Sequence, residues 1–388
     1  MFLIYLINFL LAISTTVGMT IIPFLVTDSL GLSLFILGII EGATEFLSNI
    51  LRLVNGLLFD KIKNKRILFI LSTGIAFISK SLLLLPTPWS VIFSKTFERT
   101  ANGAFASPRD AFVAENAKNK GLALSLLTVS KTAGCIIGPL LVSISTQIIG
   151  PLKDNLHLFV ILCCSLVFPA FLFSFRLNVK TIEETPFSFH EIKTIFHKTL
   201  PLLFLVFLFF MGRFNDGLLM IHLKQQGFPE WFYLSTISIF NAIMLIISPF
   251  IGNRIDRGQS NTMLYITIIA LGLFNLCFYQ IAGLSWTFAI LGIFAWGIQR
   301  TGAQIVFSFL IFKSVDKANY GTAIGIFYLV SGLGIMLSSF ISGYLAKEHF
   351  SSVFMLSGVF SFLALGLSAR LLNANLLNGL KKLAQNPA

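Results

Sequence analysis

Gly56-Leu57-Leu58-Phe59-Asp60-Lys61-Ile62-Lys63-Asn64-Lys65-Arg66 closes a long apolar run at a glycine, sets an acid four residues on and follows it with a cluster of cations. A weaker copy stands later as Gly252-Asn253-Arg254-Ile255-Asp256-Arg257-Gly258. Asp60 and Asp256 lie 196 positions apart, about half of the 388-residue chain. Each copy is an abrupt hydrophobic-to-charged boundary between two long apolar segments. The same charged hinge in each half implies two repeats built into a membrane.

The composition agrees. The chain is 56% apolar and only 11% charged, with a mean hydropathy of +0.86. A soluble domain carries about 25% charge, and a soluble fold of this length has no way to cover so much apolar surface. The net charge of +12 is no nucleic-acid footprint, because the cations sit between apolar segments rather than in one patch. Cys135, Cys163, Cys164 and Cys277 fall inside apolar segments and read as small buried residues. The histidines lie in loops or at segment ends, without paired-ligand spacing. No metal and no cofactor is expected. The run from Phe2 to about Val26 is too long for a secretory h-region of roughly 7–15 residues, and no Lys or Arg precedes it. It reads as a retained first helix.

A spanning helix needs about 20 apolar residues. Twelve segments qualify: 2–26, 34–58, 66–86, 89–112, 120–147, 155–176, 199–222, 230–252, 261–282, 285–312, 319–345 and 350–372. Their length and lack of alternation predict helices, not strands. Alternate loops carry Lys61, Lys63, Lys65 and Arg66; Lys118 and Lys120; Arg176, Lys180, Lys193 and Lys198; Arg254 and Arg257; Lys313 and Lys317. The opposite loops carry only Lys153, Lys224 and Lys347. The positive-inside rule then places both termini in the cytoplasm. The expected organisation is an N-terminal six-helix bundle over 1–176, a cytoplasmic linker over 177–198, a C-terminal six-helix bundle over 199–373 and a cytoplasmic tail over 374–388. The linker, partly an amphipathic surface helix, reads as a plain tether before it reads as a regulatory element.

Charge inside the membrane is expensive, about 2.5–3.5 kcal/mol at the centre. Arg52 and Arg109 lie near cytoplasmic helix ends, and Lys80 near an outer end, where snorkelling accounts for it. Lys95 is intermediate in depth. Arg99, Lys131, Arg213 and Arg300 are nearest the middle of helices four, five, seven and ten. They are the candidate substrate-binding cations, expected to line one central cavity with a net positive field. Glu41 and Glu45 share a face of helix two, with Glu45 near the midplane. Arg213 and Asp216, three apart, are expected to pair on one helix face. Glu98, beside Arg99, points elsewhere and meets a neighbouring helix. Burial and nearby cations push a carboxylate's affinity for protons in opposite directions. Glu45, Glu98 and Asp216 are therefore the proton-coupling candidates, while a permanent ion pair serves equally well for any one of them.

The opening stretch resembles the glycine-x-leucine-x-aspartate-basic loop of the major facilitator superfamily, between its second and third helices. Gly56, Leu58, Asp60, Lys61, Lys65 and Arg66 fit, and Lys63 departs where a glycine is usual. In the second copy Gly252, Asp256 and Arg257 fit and Arg254 departs. Gly38 through Glu45, Glu98-Arg99, Pro108-Arg109-Asp110-Ala111, Gly212 through Asp216 and Gly321 through Gly325 resemble one bacterial branch of that superfamily, so the likeness runs along the whole chain. It implies that Asp60, Arg109 and Asp110 belong to an inner gate, with Gly56, Lys61, Gly252, Asp256 and Arg257 as its framing residues. Several positions depart from the branch. Asn102 and Phe105 stand where it has cations, Lys131 where it has an acid, and Arg300 beside Thr301 where an acid is usual. An exchanged ion pair and a changed substrate explain these equally well. Gly134 and Gly138-Pro139 in helix five resemble an element associated with exporters, although close helix packing also explains them.

The expectation is an all-α membrane protein of twelve helices in two pseudo-symmetric six-helix bundles. Without a phosphate-binding G-x-x-x-x-G-K-[ST] loop, transport must draw on an ion gradient, and the intramembrane carboxylates favour protons. The expected partners are a small-molecule substrate, protons and the lipid bilayer, with no nucleic acid and a monomeric chain in a bacterial inner membrane. An organic anion is the leading substrate class. A multidrug/proton antiporter exporting amphipathic compounds, for which Glu45 and Asp216 would bind the drug, and a non-transporting sensor are the rivals.

Overall fold

The computed structural model describes residues 1–59, 65–85, 87–116, 120–177, 189–279, 283–315 and 320–385. Among them it is all helical. The helices are α1 (Phe2–Phe24), α2 (Leu34–Phe59), α3 (Lys65–Leu82), α4 (Pro88–Asn116), α5 (Lys120–Ile149), α6 (Leu152–Ser174), α7 (Phe189–Met211), α8 (Asp216–Gln225), α9 (Glu230–Asp256), α10 (Ser260–Phe278), α11 (Trp286–Ser314), α12 (Tyr320–Glu348) and α13 (Phe350–Gln385). With α7 and α8 as two pieces of one broken span, the thirteen helices make the twelve spans read from the sequence. Three of them, α3, α4 and α11, fall short of the apolarity the other nine spans show. The reason is the polar and charged residues they carry: Lys65, Arg66 and Lys80 on α3, Lys95, Glu98 and Arg99 on α4, Gln299 and Arg300 on α11.

Some boundaries move. A π-helical turn over Leu25–Ser29 prolongs α1 just past Pro23, whose missing N–H weakens the ladder there. Helix α7 begins ten residues before the expected 199, and α9 continues to Asp256. The expected continuous helix over 199–222 is instead interrupted at 212–215. Asn215 caps α8, its Oδ1 accepting from the Leu218 N–H at 2.9 Å, and Ser357 Oγ donates to the Gly212 carbonyl. A glycine and a good N-cap together offer the backbone partners outside the helix.

The described chain divides into two units. One comprises Met1–Ser188, Asn215–Ala242 and Ile335–Phe350, the other Phe189–Phe214, Ile243–Gly334 and Ser351–Ala388. In the first, α1 packs on α5 and α6, and α4 on α2 and α3. The α1–α5 crossing uses the glycines of helix five: a Cβ on Gly134 would stand 2.7 Å from the Ala12 Cβ, and one on Gly138 2.7 Å from the Ile13 carbonyl oxygen. Asn8 ties three helices, donating to Leu127 O (3.1 Å) and Ser130 Oγ (3.2 Å) on α5 and accepting from Arg109 on α4. Toward the end of this unit away from the lysine-rich loops, Ser143 Oγ donates to Trp231 O (2.8 Å), the Leu152 N–H to Glu230 (3.0 Å), and Lys224 pairs with Asp28. The second unit is built on aromatic packing. Trp296 is fully buried against Phe214 and Phe274, and Phe354 closes the cluster. These rings account for part of the phenylalanine load without a ligand.

Candidate functional site

Two helices with the same four-residue spacing face one another in the first unit. Glu41 and Glu45 project from α2, Lys95 and Arg99 from α4. Residues four apart lie on one face of a helix, so two acids can meet two cations in register. They do. Lys95 Nζ is 2.8 Å from Glu41 Oε1, Arg99 Nη1 is 2.8 Å from Glu45 Oε2, and Arg99 Nη2 is 3.9 Å from Glu41 Oε2. On the other side of α4, Glu98 Oε2 is 2.5 Å from Lys80 Nζ on α3. Three cations are thus faced by three carboxylates. Within this network exposure falls from the Glu45 side chain at 26% through Arg99 at 11% to Lys95 at 0%. Glu45 is the carboxylate at the open edge.

The expected snorkelling of Lys80 is therefore wrong. Lys80 is 1% exposed and points inward, its Nζ close enough to Gly18 that a Cβ there would stand 2.7 Å away. A fixed carboxylate one helix away holds the ammonium more tightly than a distant headgroup. The expectation that Glu98 meets a neighbouring helix holds, and α3 is that helix. Arg213 and Asp216 do not share one continuous helix, because residues 213–215 are not helical. Asp216 is the first residue of α8 and lies within electrostatic reach of Arg99.

The remaining candidate cations come from α5, the break after α7 and α11. Lys131 is exposed on α5. Arg213 occupies the break after α7, its guanidinium 5.3 Å from the Phe210 ring centre and 5.6 Å from that of Trp296, a cation–π arrangement. Arg300 is half-buried on α11. Of the gate and framing residues, Arg109 Nη1 donates to Asn8 Oδ1 at 2.7 Å and its guanidinium lies over the Phe105 ring. Gly56 falls within α2. Asp60, Lys61 and the side chain of Asp110 lie outside the described residues. Gly252 is inside α9, whose last residue is Asp256, and the chain turns only at Gly258, where φ is +82°. Asp256 and Arg257 are exposed.

Sequence reasoning placed Arg99, Glu45 and Glu98 among the candidates but left out Glu41, Lys95 and Lys80 as site residues. The signal was present for the first two: Lys95 and Arg99 repeat on α4 the spacing of Glu41 and Glu45 on α2. Two cavities, of about 410 and 240 Å³, open at the end of this unit away from the lysine-rich loops and share Asp28 and Lys224. Neither touches the ion-pair network.

The model of the Major Facilitator Superfamily matches residues 4–334. An uncharacterized MFS-type transporter of Methanocaldococcus jannaschii is 27% identical over 375 residues, covering 92% of this chain and 91% of that protein. Among solved structures, the nucleoside transporter NupG superposes with a TM-score of 0.81 at 14% identity, covering 95% of this chain and 98% of that one. A POT family transporter in complex with 5-aminolevulinic acid superposes with a TM-score of 0.78 at 13% identity, covering 95% and 94%. At such identities the two structures speak for the fold alone, which is the twelve-helix fold read from the sequence. The family model spans most of the chain, and the family is one of transporters rather than enzymes: the chain is a multi-pass membrane protein that belongs to the Major Facilitator Superfamily.

Proposed function

We propose that this transporter moves a small organic anion together with a proton, by alternating access, and that Glu45 and Arg99 couple the two. The observation that carries the reading is the balance of charge around Arg99. Its guanidinium is held at 2.8 Å by Glu45 and flanked at 3.9 Å by Glu41, while Lys95 and Lys80 are matched by Glu41 and Glu98. A matched site has no surplus cation to offer an anion. When Glu45, the most exposed member, takes a proton, Arg99 loses a charged partner and can accept a substrate carboxylate in its place, in the two-pronged geometry guanidinium favours. One negative charge replaces another, so anion binding requires the proton. Releasing the proton restores the Glu45–Arg99 pair and expels the anion. Glu98 is held by Lys80 and takes no part in this exchange. Lys131, Arg213 and Arg300 remain proposed substrate-binding cations, and Asp60, Arg109 and Asp110 remain the proposed inner gate.

The test is uptake of radiolabelled mono- and dicarboxylates into proteoliposomes under an imposed inward proton gradient. Proton-driven uptake is expected in the wild type. Arg99→Gln should abolish it, and Glu45→Gln should leave binding but remove the dependence on the gradient. Proton-driven export of amphipathic cations with no carboxylate uptake would overturn the anion reading in favour of the multidrug antiporter.

A further inference from the structure

Glu41 and Lys95 take no step in the exchange just described, yet they form one of the best-buried ion pairs in the molecule, 2.8 Å apart with Lys95 at 0% exposure. A buried pair of this kind is roughly neutral for stability against an apolar pair of the same shape, so what it supplies is a fixed geometry. The geometry concerns one turn of α2. Glu41 stands next to Gly42 and three residues after Gly38. A Cβ on Gly42 would lie 3.0 Å from the Met336 carbonyl oxygen of α12. One on Gly38 would run into the Ser339 carbonyl and lie 3.1 Å from the Gly343 Cα. At Gly38 backbone meets backbone, and at Gly42 the Ser339 Cβ and the Phe340 ring stand as close, at 3.0 and 3.1 Å, so little room is left to absorb a shift. Glu41 also lies 3.9 Å from Arg99. The same turn therefore touches the cations of α4 on one side and the backbone of α12 on the other.

We propose that Glu41 is a positioning residue: its pair with Lys95 holds the turn of α2 that closes against α12, so that the state of the Arg99 site and the closure of the end away from the lysine-rich loops are set together. Without the pair, α2 can withdraw from α12 and that end opens more often. The contacts Ser143–Trp231 and Glu230–Leu152 belong to the same closed end, and they provide a reporter on a different pair of helices.

The experiment is labelling of Ser143→Cys in the full-length chain on intact cells with a membrane-impermeant maleimide, measured over the labelling of the chain without that change. Ser143 is 5% exposed, so the reference rate is low. Glu41→Gln should raise it several-fold. Should that variant not accumulate because Lys95 is left unpaired, Glu41→Gln with Lys95→Met removes both charges and should raise it as much. Lys80→Met with Glu98→Gln removes an equally buried pair that does not touch α2, and should leave the rate unchanged. Rates unchanged in the Glu41 variants, or raised equally by the Lys80 and Glu98 changes, would overturn the coupling. The inference rests on the transport reading for what the closure serves, but the labelling needs no substrate. Raised labelling beside a failed anion uptake removes the anion and keeps the coupling, whereas intact uptake with unchanged labelling does the reverse.

Discussion

Replacing Lys80 by methionine separates an inward-held lysine from one that reaches for the membrane surface. Lys80 Nζ and Glu98 Oε2 are 2.5 Å apart and both side chains are nearly inaccessible. At an effective dielectric of about 20 their attraction is about 7 kcal/mol, and removing both ions from water costs several kcal/mol each. The intact pair therefore nets close to zero. Methionine fills nearly the same volume, so little packing is lost, but Glu98 is left buried without its partner. Lys95 and Arg99 lie near enough to offset part of that loss, which puts the expected cost at the lower end of the usual range for a broken buried pair, about 3 kcal/mol. That is roughly a hundredfold in the unfolding equilibrium. Lys80→Met with Glu98→Gln leaves no orphan charge and should return to within about 1 kcal/mol of the wild type. Unfolding of purified protein in detergent can be followed with a thiol-reactive fluorophore, because Cys163 and Cys277 are buried. The expected order of midpoints is wild type and double variant together, Lys80→Met well below. A Lys80→Met midpoint equal to that of the wild type, the outcome for a snorkelling lysine, would refute the pair.

Gly138→Ala should lower the same midpoint by an amount corresponding to about 1–3 kcal/mol of overpacking, because its methyl would meet Thr16 and stand 2.7 Å from the Ile13 carbonyl oxygen; an unchanged midpoint would mean the α1–α5 crossing is looser than described. Lys224→Gln should shift it little, at most about 1 kcal/mol and less in high salt, since the Asp28–Lys224 pair is 23% and 39% exposed; a large shift would give the pair a structural role its exposure argues against. Asp60→Asn should impair transport in vesicles at matched protein levels and Asp256→Asn should do so less, the second motif being degenerate; equal rates for Asp60→Asn and wild type would remove the gate. Reporter fusions at residue 190 should report a cytoplasmic linker, and an external signal there would reverse the topology.

Much of the fold was legible because a membrane imposes a length. Apolar runs of about 20 residues are forced by bilayer thickness, so twelve spans follow from hydropathy with shifts only at their ends. The break in the seventh span was only partly legible. Gly212-Arg213-Phe214-Asn215-Asp216-Gly217 carries turn-forming residues inside an apolar run, but the partners at the break, the Gly212 carbonyl finding Ser357 more than a hundred residues away and the Asn215 cap, appear only in the fold. The acid and cation pairs on α2 and α4 were half visible, since each spacing shows a common face but neither shows which helix the face meets.

The sequence by itself determined that this chain crosses a membrane many times, that its loops alternate between rich and poor in Lys and Arg, and that a small set of ionisable residues lies within the apolar spans. Those properties belong to composition and order along the chain, and hydrophobic burial acts on them locally. Pairing does not. Lys80 can snorkel or turn inward with the same sequence and the same depth. Its direction is decided by Glu98 standing 2.5 Å away on the adjoining helix. Arg99 looked like a surplus cation until Glu45 and Glu41 were placed across from it. Electrostatic energy falls with distance and depends on burial, and both quantities exist only once α2, α3 and α4 have packed. The tertiary structure therefore decided that the cations around Arg99 are matched, and the proposed binding of an anion in company with a proton rests on that match.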